Sequence, residues 1–408
     1  MRISTNSIYA TSTAQLGTLQ TQLARTQMQL STNKKLLAPS DDPIASARAL
    51  EVTQSQSINS QFATNRANAR SALSQEEVAL SGVQSLIQDV QGIAVAAGSG
   101  ALSASDRTTY ANDLQGRLDD LIALSNSSDG NGGYLFSGYK TATPPFVKNG
   151  GSVDYNGDTG EVQLQVAGAR KIAINDSGAS VFTGIPTANG TFATAANGGN
   201  TGTGVISTGS VVDPSALTGR KYSLDFAVTT TGVTTYTVTD QTAVPPAAVA
   251  GMSDLSYAAG QAITVAGQQF DIKGTPGNGD QFTVAPADKQ SLFTTMSKLI
   301  DTLRAPAGTD KEKAALTKGL QDGIGNLAMG LDNVLTVRAS IGSRQKELDT
   351  LDSVGSDADL QYAATLSGLQ DLDIVQAISM FSQQTQTLQA AQKTFNAISG
   401  LSLFNYIS

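Results

Sequence analysis

The chain has 408 residues, enough for two or three domains with a sizeable core. Its balance is acidic, 26 Lys+Arg against 34 Asp+Glu for a net charge of -8, which argues against a nucleic-acid partner, because that binding needs a basic face. Cys, His and Trp are all absent, which removes disulfides, thiolate metal sites and the commonest general base, so no enzymatic role, metal or cofactor is expected.

Met1 to Ala10 is mostly polar and shows no cleavable leader, and no stretch approaches the roughly 20 apolar residues of a membrane span. Either a cytoplasmic protein or export by a route without such a leader is expected. The first helix is predicted over Thr5–Leu37. It carries Tyr9, Leu16, Leu23, Leu30 and Leu37 every seven residues, with Leu19 and Thr26 between them. Ala38-Pro39-Ser40-Asp41-Asp42-Pro43 then stops this helix and starts another, with Asp42 as N-cap and Pro43 in the first turn. The second helix is predicted to reach about Ala97, with a seam of Leu73, Leu80, Val83, Ile87 and Val90. A third starts at Ser105 and carries Leu114, Leu118 and Leu121.

From Ser125 to Thr159 helical periodicity gives way to glycine. Strands are then predicted around Val162–Val166, Ile172–Ile174, Tyr222–Phe226 and Thr234–Val238 by their alternating, β-branched and aromatic character. Gly184–Gly219 reads as an extended, partly mobile loop, the alternative being a set of short strands. After Pro286 helices return. One is marked by Leu316, Leu320, Ile324, Leu327, Leu331 and Val334, and a break is predicted at Gly355-Ser356. The last helix is predicted from Asp357 to Ile398, with Ile374, Phe381, Leu388 and Phe395 every seven residues and Ala377, Ala391 and Ile398 between them. The fold class expected is α+β: a long antiparallel helical bundle or coiled-coil rod built from both chain ends, with an inserted mainly-β domain. The expected domains are 1–42 with 357–408 for terminal assembly, 43–150 with 287–356 for the helical rod, and 151–286 for the β insertion. Residues 151–183 are expected to pack either with the rod or with the later strands.

Candidate chemistry is thin. Asp154, Asn156 and Asp158 have the oxygen spacing of a calcium loop, but Thr159 and Gln165 stand where Gly and a carboxylate are required, so a hairpin turn at Asn156-Gly157 is preferred. Gly198, Gly199, Gly202 and Gly204 lack the Lys-Ser/Thr of a phosphate cradle. Asp41 and Asp42 read as capping residues, and Asp357, Asp359, Asp371 and Asp373 as helix-start charges. Arg338, Arg344 and Lys346 read as the charged face of a long helix.

The strongest signal is the pair of heptad seams at the two ends, the period of a helix that packs along another helix. Each large apolar side chain buried there contributes about 1.5–3 kcal/mol. A stripe so narrow on helices rich in Gln, Ser and Thr is marginal alone. These helices are therefore expected to gain full order when neighbouring subunits supply more surface. Tyr9, Leu16, Leu19, Leu23, Leu30, Leu37, Ile374, Phe381, Leu388, Phe395 and Ile398 are the expected subunit-interface residues.

Several segments resemble one family in order: MRISTNSIY at the start, PSDDPIASARAL at 39–50, NGGYLFSGYKTATPPF at 131–146, and the run 153–182. NGDQFTVAP at 278–286, VRASIGSRQKELD at 337–349 and the closing LSLFNYIS at 401–408 complete the series. They are similar to the flagellar hook-associated protein 3 family, hook–filament junction proteins of the flagellin superfamily. The resemblance implies a structural, extracellular role in a short layer between hook-associated protein 1 and the flagellin filament. It also implies contacts with copies of the same chain, and export through the flagellar type III apparatus with a dedicated chaperone. No membrane insertion is implied. A flagellin filament subunit is the near alternative, and an adhesin or enzyme carried by the β domain the distant one.

Overall fold

In a computed structural model of the chain, residues 5–99, 102–130 and 132–400 are described. They fall into two compact units, one drawn from the two chain ends up to Thr64 and from Thr350 onward, the other spanning Asn65–Asp349. Helices at both ends flank a central run of antiparallel strands. The described helices are α1 (Thr5–Thr32), α2 (Pro43–Ala97), α3 (Ala104–Ser125), α4 (Leu292–Arg304), α5 (Asp310–Gln370) and α6 (Ile374–Gly400).

In the larger unit, α2 buries two interleaved heptad rows, Leu73, Leu80, Ile87 and Ala94 with Ala69, Val83, Val90 and Ala97. Two polar residues, Arg66 and Glu76, occupy the same rows and are 3% and 1% exposed. In α5 the buried row is Leu320, Leu327, Val334, Ile341 and Leu348. The two helices run antiparallel here, for Arg70 pairs with Asp349 at 2.7 Å and Arg338 with Glu77 at 2.5 Å. Helix α3 starts on a Ser103–Asp106 capping box and buries Ala111, Leu114, Leu118 and Leu121. Helix α4 buries Leu292, Met296, Leu299 and Leu303. It lies against a row of glycines on α5, where a Cβ on Gly323 would overlap Leu299 and one on Gly330 would overlap Leu292.

The strands begin with a hairpin, β1 (Phe146–Asn149) and β2 (Ser152–Tyr155), turning through Gly150-Gly151. The turn expected at Asn156-Gly157 lies beyond β2, because Tyr155 is already paired with Phe146 at the open end of that hairpin. A second hairpin follows, β3 (Gln163–Ala167) and β4 (Arg170–Ala173). It packs against the helices: Arg66 donates to the Val166 carbonyl at 3.1 Å, and Arg170 pairs with Glu347 at 2.5 Å. Phe146, Tyr155, Phe182 and Phe293 stack with centroids 4.9–6.0 Å apart, tying this segment to α4.

Gly184–Gly219 is not a loose loop. It holds β5 (Ile185–Pro186), β6 (Phe192–Ala196), β7 (Val205–Ile206) and β8 (Ser210–Val211). After it come β9 (Tyr222–Val228), β10 (Thr234–Asp240), β11 (Ala247–Ala248), β12 (Leu255–Ser256), β13 (Ala262–Val265), β14 (Gln268–Lys273), β15 (Gln281–Pro286) and β16 (Lys289–Gln290). One antiparallel sheet runs β11-β10-β9-β15-β6, and a second runs β13-β14-β7 with β8 also on β14. Their inner faces share one core containing Phe192, Ile206, Leu224, Val238, Ile263, Phe270 and Val284. Phe226 sits within it, stacked on Tyr236, Tyr257 and Phe282 at 5.3–5.8 Å.

Two helix boundaries differ from expectation. Helix α1 ends at Thr32 because Asn33 takes a left-handed φ of 56°, so Leu37 lies beyond the helix. Helix α5 runs through Gly355-Ser356 without a break to Gln370. Glycine inside a helix costs about 1 kcal/mol relative to alanine. Here Gly355 is buried and its carbonyl accepts from Asn59 Nδ2 at 2.8 Å. Asp357 and Asp359 are therefore mid-helix, and the true break falls at Asp371–Asp373.

Candidate assembly surface

The chain ends meet in the smaller unit. Helices α1 and α6 run antiparallel, with Tyr9 edge-on to Phe395 at 5.5 Å near one end of the pair. Towards the other end Thr26 Oγ1 donates to Gln384 Oε1 at 2.8 Å. Thr26 is 4% exposed and Ala377 1%, the best-buried members of the two seams. Beyond α1 the chain pairs with the end of α5: Lys35 N donates to the Gln370 carbonyl at 2.7 Å, and Lys34 bridges Asp371. Asp373 then caps α6, accepting from Gln376 N at 3.1 Å.

The turn into α2 is held by its two aspartates. Asp42 Oδ1 accepts from Ala45 N at 2.9 Å, as an N-cap should. Asp41 faces back, accepting from Leu37 N and Ala38 N at 3.0 and 3.2 Å and pairing with Arg25 at 2.6 Å. Those two backbone donors, aided by Arg25, hold the Asp41 carboxyl below its usual range.

Of the expected interface residues, Tyr9, Leu16, Leu19, Leu23, Leu30, Leu37, Phe381, Leu388 and Phe395 are half-buried. Ile374 and Ile398 are exposed, at 49% and 41%. The periodicity missed a second set of apolar side chains: Ile44 (82% exposed), Leu50, Leu360 and Val375 (80%). They break no heptad rule, because none lies on a seam. Only their apolar character on otherwise polar helix faces marks them. The smaller unit thus has almost no apolar core of its own. Among its described residues Ala49 and Ala377 are the buried hydrophobic side chains, while large ones stand in solvent along all four of its helical segments.

The other candidate sites resolve into structure. Asp154 accepts from Asn149 Nδ2 at 2.8 Å, whereas Asp158 accepts from Tyr139 N and Gly160 N at 2.9 and 2.8 Å. Among the described residues no three acidic side chains come together to hold a metal ion. The glycine-rich loop has its amides filled by the chain itself: Thr201 N and Gly202 N donate to Asp280 at 2.6 and 3.0 Å, and Gly277 N joins them at 2.7 Å. Arg338 and Arg344 are structural ties, to Glu77 with Gln84 and to Asp176.

Helical chain ends around inserted antiparallel sheets define a flagellin-type structural subunit, and residues 3–141 match the family model described as the bacterial flagellin N-terminal helical region. Flagellar hook-associated protein 3 of Salmonella typhimurium is 32% identical over 99% of both chains. The flagellar junction protein FlgL of Legionella pneumophila superposes with a TM-score of 0.72 at 32% identity, covering 79% of this chain and 100% of its own. FlgL of Xanthomonas campestris gives 0.70 at 30% identity, covering 78% of this chain and 99% of its own. The chain belongs to the flagellar hook-associated protein 3 family.

Proposed function

We propose that the chain is the structural subunit of the layer that joins hook to filament in the bacterial flagellum. The observation that supports this reading is the coreless smaller unit. Its half-buried seams and exposed Ile44, Leu50, Leu360 and Val375 are an unstable surface in water and a suitable one between subunits. In this reading hook-associated protein 1 lies on the hook side, flagellin on the filament side, and copies of the chain lie beside it. Tyr9, Leu16, Leu19, Leu23, Leu30, Leu37, Ile374, Phe381, Leu388, Phe395 and Ile398 form the inner contacts, and the terminal assembly domain is 1–42 with 357–408. The subunit works outside the cell and has no enzymatic activity. It travels unfolded through the flagellar type III apparatus, guarded by a chaperone, and a chain without Cys cannot be blocked there by a disulfide.

Electron microscopy of cells lacking the chain tests the role. Hooks without filaments, with flagellin lost to the medium, are expected; filaments of normal length on those hooks refute it. Leu23→Asp tests the surface. The β sandwich is expected to fold unchanged while filament attachment is lost. Normal filaments on that variant remove Leu23 from the interface.

A further inference from the structure

The larger unit contains a cleft of about 420 Å³ between the last turns of α2, the first turn of α3 and the first turns of α5. Its walls are mainly apolar, with Val95, Leu316, Leu320 and Ile324 among them, interrupted by Ser99, Thr317 and Gln321. Its charged lining is wholly cationic, Arg107 and Lys313, with no carboxylate. Lys313 is exposed and pairs with Asp310 at 3.1 Å. Arg107 is different. It is 9% exposed and has no ion-pair partner among the described residues. Its Nε is buried without any hydrogen bond. Among the described residues its side chain makes one hydrogen bond, a long one from Nη1 to the Leu102 carbonyl at 3.5 Å.

Arg107 also stands seven residues before Leu114 and fourteen before Leu121, on the row by which α3 buries its apolar face. An apolar side chain there would extend that row into the cleft. A guanidinium cannot shed its charge to relieve burial, and a buried charge is costly unless paired. The free subunit therefore carries a half-made ion pair on an apolar floor.

We propose that this cleft is a docking socket for a carboxylate side chain set beside an apolar one on an adjoining subunit of the assembled flagellum. Charge complementarity selects the acid, since the Arg107 guanidinium lines the cleft as a fixed cation with no carboxylate beside it. The apolar walls select its neighbour. The identity of the occupant rests on the assembly role proposed above; the existence of the socket does not.

The test uses octanoate as probe on the full-length subunit, read by NMR at the Arg107 Nε–H and the Leu320 and Ile324 methyls. Saturable binding is expected, roughly tenfold tighter than for octanol, because a charged hydrogen bond distinguishes the two. Equal affinity for both, or a silent Nε–H, overturns the socket. Arg107→Met supplies the second arm. It is expected to melt at or above the wild-type temperature, to lose the preference for octanoate, and to shed filaments several-fold more readily under shear. A clearly lower melting temperature makes Arg107 a structural residue and overturns the proposal. Octanoate selectivity with filaments held as firmly as in wild type overturns the occupant, while leaving the junction role to stand or fall on the deletion strain.

Discussion

At the scale of single residues, Glu76 sets the response to alkali. It is buried in the α2 seam, where its Oε1 accepts from Asp176 N at 3.0 Å while Oε2 lacks a donor. The Asp176 carboxylate faces it and is itself held by Arg344. Burial first, and the Asp176 charge second, push the Glu76 carboxyl up to about 9. Unfolding would return it to an ordinary carboxylate, so between the two values the folded chain holds the extra proton and stability falls as pH rises. The melting temperature is expected to decline from about pH 5 to pH 9, and Glu76→Gln to flatten that decline and to raise stability at its alkaline end. An unchanged slope in the variant refutes the assignment. At Gly138 the constraint is steric. Its φ is +73° and a Cβ there would lie 2.5 Å from the Asp158 carbonyl oxygen, which explains a glycine in the LFSGYKT segment.

Among the elements, the α4–α5 contact is the most sensitive to bulk. Gly323→Leu would drive a side chain into Leu299, and overpacking of this kind costs about 1–3 kcal/mol. Chemical denaturation of the variant should show that loss, and wild-type stability would mean that α4 does not approach α5 so closely. The sequence made such elements unequally legible. The seams of α2 and α5 were readable because Leu73, Leu80, Leu327 and Val334 recur on one helical face, and the strands at Tyr222–Phe226 because their side chains alternate. The end of α1 was not, since it depends on Asn33 adopting a left-handed turn whose carbonyl accepts from Leu372 N, a partner more than three hundred residues away. Gly355 misled for the opposite reason: its local propensity is poor, but Asn59 and burial keep the helix intact. For the proposed assembly surface, the half-buried residues were readable from the heptads. Arg107 and the exposed Ile44 and Val375 were not, because a missing partner leaves no mark on periodicity. In α1 the threonines weaken the helix quietly: Thr11, Thr13, Thr18 and Thr21 turn their hydroxyls back to carbonyls four residues earlier and, among the described residues, donate to no neighbouring element.

For the molecule as a whole, stability is concentrated in one unit. The unit spanning Asn65–Asp349 has the sandwich core, the aromatic cluster and the buried helix rows, whereas among its described residues the unit of the chain ends buries few side chains beyond Thr26, Ala49 and Ala377. Hydrogen exchange on a verified monomer is expected to be fast up to about Leu37 and beyond about Asp373, and slow in the β sandwich. Strong protection at Leu16–Leu30 in that monomer would refute an order gained on assembly. The Thr26–Gln384 bond then takes on a second meaning. Two apolar heptad stripes can slide past each other by one heptad, about 10 Å along the axis, and still match. The Thr26–Gln384 pair fits in one alignment alone; a slipped alignment loses that bond, leaving the Thr26 hydroxyl only its bond to the Gln22 carbonyl of its own helix and the half-buried Gln384 amide without this partner. Under the assembly role proposed above, a chain that arrives unfolded at the tip of a growing tube has this alignment to find. With the Lys35–Gln370 and Leu372–Asn33 backbone bonds at the adjoining turn, the Thr26–Gln384 bond disfavours an error of one heptad.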